Sequence, residues 1–171
     1  MPPAALPTMR LKLRPVGPQD QTTVLAGLSD IALSGWLAVV PHPYTAADFD
    51  FFQREIAKPG QTFAVEDAGG FVGIMGLERG KLGYWFSRHA HGQGYATEAA
   101  SGVLASHFAE GLGRVASGYF DENAPSANVL RKLGFVETGR GQLMCRALDR
   151  MRPHVDMILD AMAFANAKSA R

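Results

Sequence analysis

"HGQGYATEAA", residues 91–100, places glycines on both sides of Gln93 and then runs into a stretch of helical character. Glycine loses more backbone entropy on folding than any other residue, so its use at a helix mouth marks a sharp turn or a close approach. Three arrangements satisfy the pattern: a tightly packed strand-to-helix turn, a dinucleotide site, or a cradle for another phosphate. Two glycines alone do not choose among them. Gly92, Gly94 and Thr97 partly follow G-x-G-x-x-G, and Asp121 ends the next strand, where a ribose-binding acid would stand. Against a dinucleotide site, Thr97 replaces the third glycine, the unit begins about halfway along the chain, and a hairpin follows it in place of further βα units. A P-loop fits less well still, since no G-K-[S/T] occurs.

The neighbouring segments set the fold class. "MRLKLRPV", residues 9–16, alternates Leu11 and Leu13 with Arg10, Lys12 and Arg14, which predicts a half-buried strand stopped at Pro15. Asp20 is suited to cap a helix carrying Val24, Leu25 and Leu28. "GWLAVVPHPYT" reads as a loop holding Trp36, His42 and Tyr44, and Thr45 as the cap of a second helix with Asp48 in its first turn. Phe49, Phe52 and Ile56 are spaced to give that helix a buried stripe. Strands are expected at 62–66, 71–78 and 81–87, with turns at "DAGG" and Arg79-Gly80. After the glycines comes a helix bearing Ala99, Val103, Leu104 and Phe108 on one side. "GRVASGYF" is a strand, "PSANVLRKLGF" a short helix with Pro125 in its first turn, and 142–148 with 154–161 a final hairpin. The result is one α+β domain, residues 9–162, with flexible tails at 1–8 and 163–171, and a β-α-β crossover at its centre.

Composition narrows the function. The 171 residues are 47% hydrophobic and 19% charged with net charge +1, and no long block of like charge suggests a nucleic-acid or membrane surface. Cys145 is the single cysteine, and no Cys/His cluster has zinc spacing, so a buried structural thiol is expected and no metal. "MPPAALPT" lacks a signal-peptide core and no segment has the length of a bilayer span, which makes the cytoplasm the expected location.

"GYWFSRHAHGQGYATEA" followed by "DENAPSANVLRKLGFVETGRG" resembles the GCN5-related N-acetyltransferases (GNAT), in the RimJ/RimL-like branch of ribosomal-protein N-terminal acetyltransferases. The pyrophosphate loop [Q/R]-x-x-G-x-[G/A] corresponds to His91-Gly92-Gln93-Gly94-Tyr95-Ala96, continuing into Thr97, Glu98 and Ala99. The downstream N-x-x-S and L-x-x-x-G-F correspond to Asn123, Ser126, Leu130, Gly134 and Phe135. "LKLRPV", "PYT" and "HVDMIL" extend the likeness over about residues 10 to 161. The resemblance implies a mixed, largely antiparallel sheet of about seven strands flanked by helices, with a splayed strand pair at the coenzyme A site.

A glycine-bearing turn into a helix offers free N–H groups and the positive end of the helix dipole, which suits a pyrophosphate. The pantetheine arm carries two amides and can pair with a strand edge as a short extra strand. The resemblance assigns that pairing to backbone near Phe86, Ser87 and Arg88, a side-chain contact to Asn123, and proton donation to the departing thiolate to Ser126. Two departures stand out. His91 occupies the place of Gln or Arg, and Leu130 occupies the place where many relatives carry an acidic tyrosine. Ser126 has an equally good local role as a first-turn serine satisfying backbone. Glu98 suits the helix dipole better than catalysis. Asp121 and Glu122 are loop acids near a strand end, and His42, His89 and His154 have no partner visible in sequence. The expected activity is an acyltransferase: direct acetyl transfer from acetyl-CoA to a primary amine, a protein N-terminus or small molecule, in a ternary complex, by a monomer or homodimer. The alternatives are a non-catalytic acyl-CoA-binding or sensory module, and an acyltransferase using a longer acyl-CoA such as succinyl-CoA.

Overall fold

The computed structural model describes residues 5–171. Its strands are β1 (Leu6–Pro7), β2 (Lys12–Pro15), β3 (Thr62–Asp67), β4 (Gly70–Glu78), β5 (Lys81–Phe86), β6 (Val115–Phe120), β7 (Val136–Cys145) and β8 (Arg150–Leu159). They form one eight-stranded sheet in the order β1-β2-β3-β4-β5-β6-β8-β7, antiparallel except for the parallel β5–β6 pair. The helices are α1 (Gln21–Leu28), α2 (Ile31–Ser34), α3 (Ala46–Phe51), α4 (Tyr95–Ala109), α5 (Ala124–Leu133) and α6 (Ala161–Ser169).

Strand alternation builds a core on each face. Phe63, Val65, Met75, Val155, Met157 and Leu159 turn to the face covered by α4, α5 and α6, where Val103, Leu104, Leu130 and Leu133 meet them. Ala64 and Ile74 turn to the other face, against Val24, Leu28, Leu33 and Phe49 of α1–α3. Leu130 is fully buried, contributing about 1.5–3 kcal/mol by removal from water. No helix of the described residues is long and apolar enough to cross a membrane.

Three local expectations need correction. Asp20 precedes α1 but does not cap it through its side chain. Its carboxylate accepts two bonds from Arg14, at 2.7 and 2.9 Å, and one from the Gly17 N–H at 2.9 Å. Thr45 and Asp48 do cap α3 reciprocally, but the helix passes into a π-turn at Phe52–Ile56. The wider turn throws off the seven-residue spacing, so Phe49 is buried while Ile56 is 39% exposed. The final hairpin is longer than expected and displaced toward the N-terminus, running as β7 and β8.

Both expected tails carry structure. Within the described residues, Leu6–Pro7 pairs with β2, and Thr8 and Arg10 reach across to α4. At the other end Asp160 accepts from the Ala163 N–H at 2.8 Å, starting α6, and Phe164 packs on Phe108 with ring centroids 5.6 Å apart. One buried aromatic and a cap suffice here, without the repeating apolar stripe that sequence reading relies on.

The β5–β6 pair positions the site. The two strands register only at Lys81 and Ala116, where the Ala116 N–H donates to Gly80. Ser117 Oγ adds a 3.0 Å bond to the Leu82 carbonyl. Beyond that the strands part, leaving a wedge that opens toward Phe86 and Phe120.

Candidate active site

The loop from β5 to α4 is shaped by two left-handed glycines, Gly92 at φ 76° and Gly94 at φ 75°. Any L side chain there is strained. A Cβ built on Gly92 meets no protein atom within 4 Å, so the turn itself, rather than protein crowding, demands glycine. The first bond into the helix is from the Glu98 N–H to Gly94. The N–H groups of Gly92, Gln93, Gly94, Tyr95, Ala96 and Thr97 have no acceptor among the described residues. Unpaired donors at the positive end of a four-turn helix form an anion-binding arrangement.

The loop is braced from below by groups far away in sequence. Arg10 donates to Glu98 at 2.7 Å and to the Gln93 carbonyl at 2.9 Å, and its guanidinium lies 4.9 Å over the Tyr95 ring. Glu98 also accepts from Thr8 Oγ1 at 2.6 Å and from the Arg10 N–H at 2.7 Å. Tyr95 itself is buried and donates through its hydroxyl to Asp67 at 3.0 Å. Its side chain thus anchors the helix, and only its N–H faces the cradle. Thr97 borders an open depression with Gly94, Glu98, Lys132 and Arg171.

Glu98 gives a testable pH dependence. Burial works to raise its pKa, but the bonds from Thr8 and Arg10 and the Arg10 charge outweigh it and hold the carboxyl below its usual range. A carboxylate depressed in the folded state stabilises above its unfolded pKa, about 4.3, and that stabilisation is lost as pH falls through the folded value. Glu98→Gln is expected to lower stability at pH 7 by about 1–3 kcal/mol. Melting curves of the two proteins should begin to converge as pH falls below about 4.3 and meet once it passes the lower folded value.

Sequence expectation and geometry part company along the strand edge. The Gly80 and Leu82 carbonyls face β6, so by alternation Tyr84 and Phe86 turn their N–H and C=O groups into the wedge. Ser87, by contrast, donates its N–H to Val72 of β4 at 2.8 Å and is not free for another strand. Arg88 is mostly exposed and pairs with Asp30 at 3.1 Å, on the α2 side. His91 Nε2–H donates to the Phe86 carbonyl at 2.7 Å, which ties the ring to the strand end and away from the loop's donors. The Gln93 amide donates to the His89 carbonyl at 3.2 Å.

Across the wedge, Asn123 caps α5: its carboxamide oxygen accepts from the Ser126 N–H at 3.3 Å. Its NH2 remains available to another group. Ser126 Oγ lies 3.1 Å from the Tyr84 hydroxyl. Burial pushes the Tyr84 phenol up, against the opposing pull of the Ser126 bond, so it stays a protonated donor at neutral pH. Tyr84 had no signature in the sequence beyond its place on a strand.

The remaining candidates separate cleanly. Asp121 pairs with Arg140 at 3.1 Å, and Glu122 is exposed, 3.8 Å from Arg152. Trp36 stacks on Arg152 at 4.5 Å, Tyr44 packs in the α1–α3 core with its phenol pushed up to about 12 by burial, and Cys145 is buried.

Residues 10–136 match the family model for the acetyltransferase (GNAT) domain. Solved structures share the architecture. A GNAT acetyltransferase from Bacillus anthracis superposes with TM-score 0.79 at 22% identity, covering 91% of this chain and 98% of its own. RimJ of Mycobacterium smegmatis, solved with CoA-disulfide, gives 0.79 at 24% identity over 99% and 97%. Spermidine N-acetyltransferase of Vibrio cholerae, solved with CoA and spermine, gives 0.75 at 17% over 92% and 99%. No curated protein sequence matches the chain. With the domain model spanning most of the chain and the parted parallel strands, glycine turn and capped α5 in place, the protein belongs to the GNAT acetyltransferase family and is an acyltransferase.

Proposed function

We propose that the protein transfers the acetyl group of acetyl-CoA directly to a primary amine in a ternary complex. The observation that carries this reading is the row of unpaired N–H groups from Gly92 to Thr97 at the mouth of the β5–β6 wedge. In this reading the pyrophosphate sits on those donors. The pantetheine amides pair with the Tyr84 and Phe86 backbone, and the Asn123 NH2 donates to a pantetheine carbonyl. His91 contributes by holding the Phe86 carbonyl rather than by charge on the phosphates. The amine nitrogen attacks the thioester carbon and gives up a proton to solvent, the C–S bond breaks, and the thiolate takes a proton through Ser126 Oγ, which Tyr84 orients and which regains a proton from solvent.

Two fold neighbours, a ribosomal-protein-S5-alanine acetyltransferase of Vibrio fischeri and a spermidine N-acetyltransferase of Vibrio cholerae, suggest the acceptor classes to test, an alanine of a protein and a small polyamine. An α-amine, with a pKa of roughly 7.7–8.0, needs less help to shed its proton than a lysine near 10.4. Thermal melting with acetyl-CoA, succinyl-CoA, CoA and NAD(H) tests the reading. A ligand at 100 times its Kd stabilises by about 2.7 kcal/mol. A rise in Tm with acetyl-CoA and CoA but not with NAD(H) is expected, and no rise with any CoA species would overturn it. A larger rise with succinyl-CoA would reassign the acyl group.

A further inference from the structure

On the face of the sheet opposite α4–α6, residues of β8 meet a floor of glycine. Val155, Met157 and Leu159 point into the main core, so Arg152, His154 and Asp156 point the other way. Asp156 registers with Gly118 of β6 and Gly139 of β7, and His154 with Phe120 of β6 and Gly141 of β7. Glycine weakens a strand interior, and its use there marks a bulge, a bend, or a place where a ligand or another backbone comes close; Gly139 stands at the register shift that follows Glu137. At Gly118 the occupant is visible: a Cβ would meet His154 Cε1 at 2.4 Å and Nε2 at 2.9 Å. The Cε1–Nε2 edge of the imidazole therefore lies across β6, toward the strand that borders the wedge.

The ring is held on its other edge. Asp156 Oδ1 lies 3.2 Å from Nδ1, and the Phe120 ring meets the imidazole edge-on at 5.6 Å. Nε2 has no partner among the described residues. The other charges near it are few. Arg152, two residues earlier on the same face, is held between the Trp36 and Phe120 rings, and Asp121 and Glu122 follow Phe120 at the strand end. β7 offers only Gly139 and Gly141 at the facing positions.

We propose that His154, oriented by Asp156, is the base that deprotonates the acceptor amine, with the open surface of β7 at Gly141, which registers with His154 and has no atom within 4 Å of its missing side chain, as the acceptor's berth. The assignment rests on the acetyl-transfer reading above. A carboxylate at Nδ1 fixes the tautomer with Nε2 as the proton acceptor, and an imidazole is the side chain that changes charge nearest neutrality. Nε2 takes one proton from the incoming ammonium, directly or through one water, and passes it to solvent. The freed amine forms the C–N bond from the face opposite Ser126. As the C–S bond breaks, the nitrogen sheds a second proton to the same imidazole, while the thiolate receives one through Ser126. The net products are the amide, CoA thiol and one proton. His154 is a catalytic residue in this scheme and Asp156 a positioning residue.

The test uses the full chain, acetyl-CoA, and two acceptors: a short peptide with a free N-terminal alanine, and spermidine. His154→Asn should lower kcat/KM by about 10²–10⁴-fold at pH 7 and remove the acid limb of the pH profile. Asp156→Asn should cause a smaller loss that falls on kcat and leaves KM for the amine nearly unchanged, because the imidazole loses the partner that fixes its tautomer and orientation. Asp156 is 65% exposed, so this variant keeps the test open if His154→Asn does not fold. Neither substitution should change the Tm rise with acetyl-CoA. Independently of turnover, the His154 ring resonances should move when either amine is added to the CoA complex. A His154→Asn enzyme with the wild-type rate and acid limb would overturn the assignment, as would ring resonances that neither amine moves. Absence of any acetyl-CoA shift in the wild type would instead overturn the acetyl-transfer reading, and this assignment with it.

Discussion

Replacing Gly94 with tryptophan is expected to eliminate the Tm rise that acetyl-CoA and CoA produce, while leaving a folded protein. Two effects combine at this position and can be separated. The backbone is left-handed at φ 75°, so any L residue there costs about 1–2 kcal/mol. That strain lowers the ligand-free Tm by a few degrees and is shared by Gly94→Ala. The Cβ itself is tolerated by the protein, its nearest neighbour being an Arg10 nitrogen at 3.6 Å, an ordinary contact. An indole, however, projects from the middle of the unpaired N–H row and fills the space where a pyrophosphate would lie. Gly94→Ala should therefore melt lower but still respond to CoA, and Gly94→Trp should melt lower and not respond. A full response from the tryptophan variant would place the pyrophosphate elsewhere.

Much of the architecture was legible because it is written locally. The 92–97 turn, the Thr45 cap, the strands around "DAGG" and the helix with Pro125 in its first turn each depend on residues within a few positions of one another. The π-turn after α3 was invisible for the same reason: apolar spacing assumes a regular helix, and nothing in "FQREI" announces the change of pitch. Helix α6 escaped because its docking rests on Phe164 reaching Phe108, a contact made only after the sheet has formed.

The site divides along the same line. The glycine cradle was legible, whereas the Arg10–Glu98–Thr8 brace joins residues 88 and 90 positions apart, so Glu98 read only as a charge favouring its helix dipole. Ser87 looked like a strand-edge donor until the β4 register assigned its N–H to Val72. Asn123 carried a ligand-contact expectation, and the structure commits one lone pair of its oxygen to capping Ser126 while its NH2 stays free. Tyr84 and Ser126 are brought together only by the parting of β5 from β6, and the His154 ring finds its place only because Gly118 lies beside it.

Ser126→Ala is expected to lower kcat for acetyl transfer by about 10²–10⁴-fold with little change in KM for acetyl-CoA. The loss falls on the step in which the thiolate leaves, since Ser126 Oγ is the group proposed to protonate it. A structural role for the same hydroxyl makes a different set of predictions. Removing it strands the Tyr84 hydroxyl, 3.1 Å away, without its partner, which costs about 1–3 kcal/mol of stability. Tyr84→Phe removes the orienting hydroxyl and leaves the proposed donor, so it should reduce kcat less. The double variant removes both polar groups, and the stability lost in Ser126→Ala should largely return. Its rate should not return, and should equal that of Ser126→Ala, because Tyr84 acts through Ser126. Recovery of rate together with stability in the double variant would show that the hydroxyl pair serves packing alone. An unchanged kcat in Ser126→Ala would confine Ser126 to the first turn of α5 and leave the thiolate to be protonated by water, with Leu130, fully buried, offering no replacement.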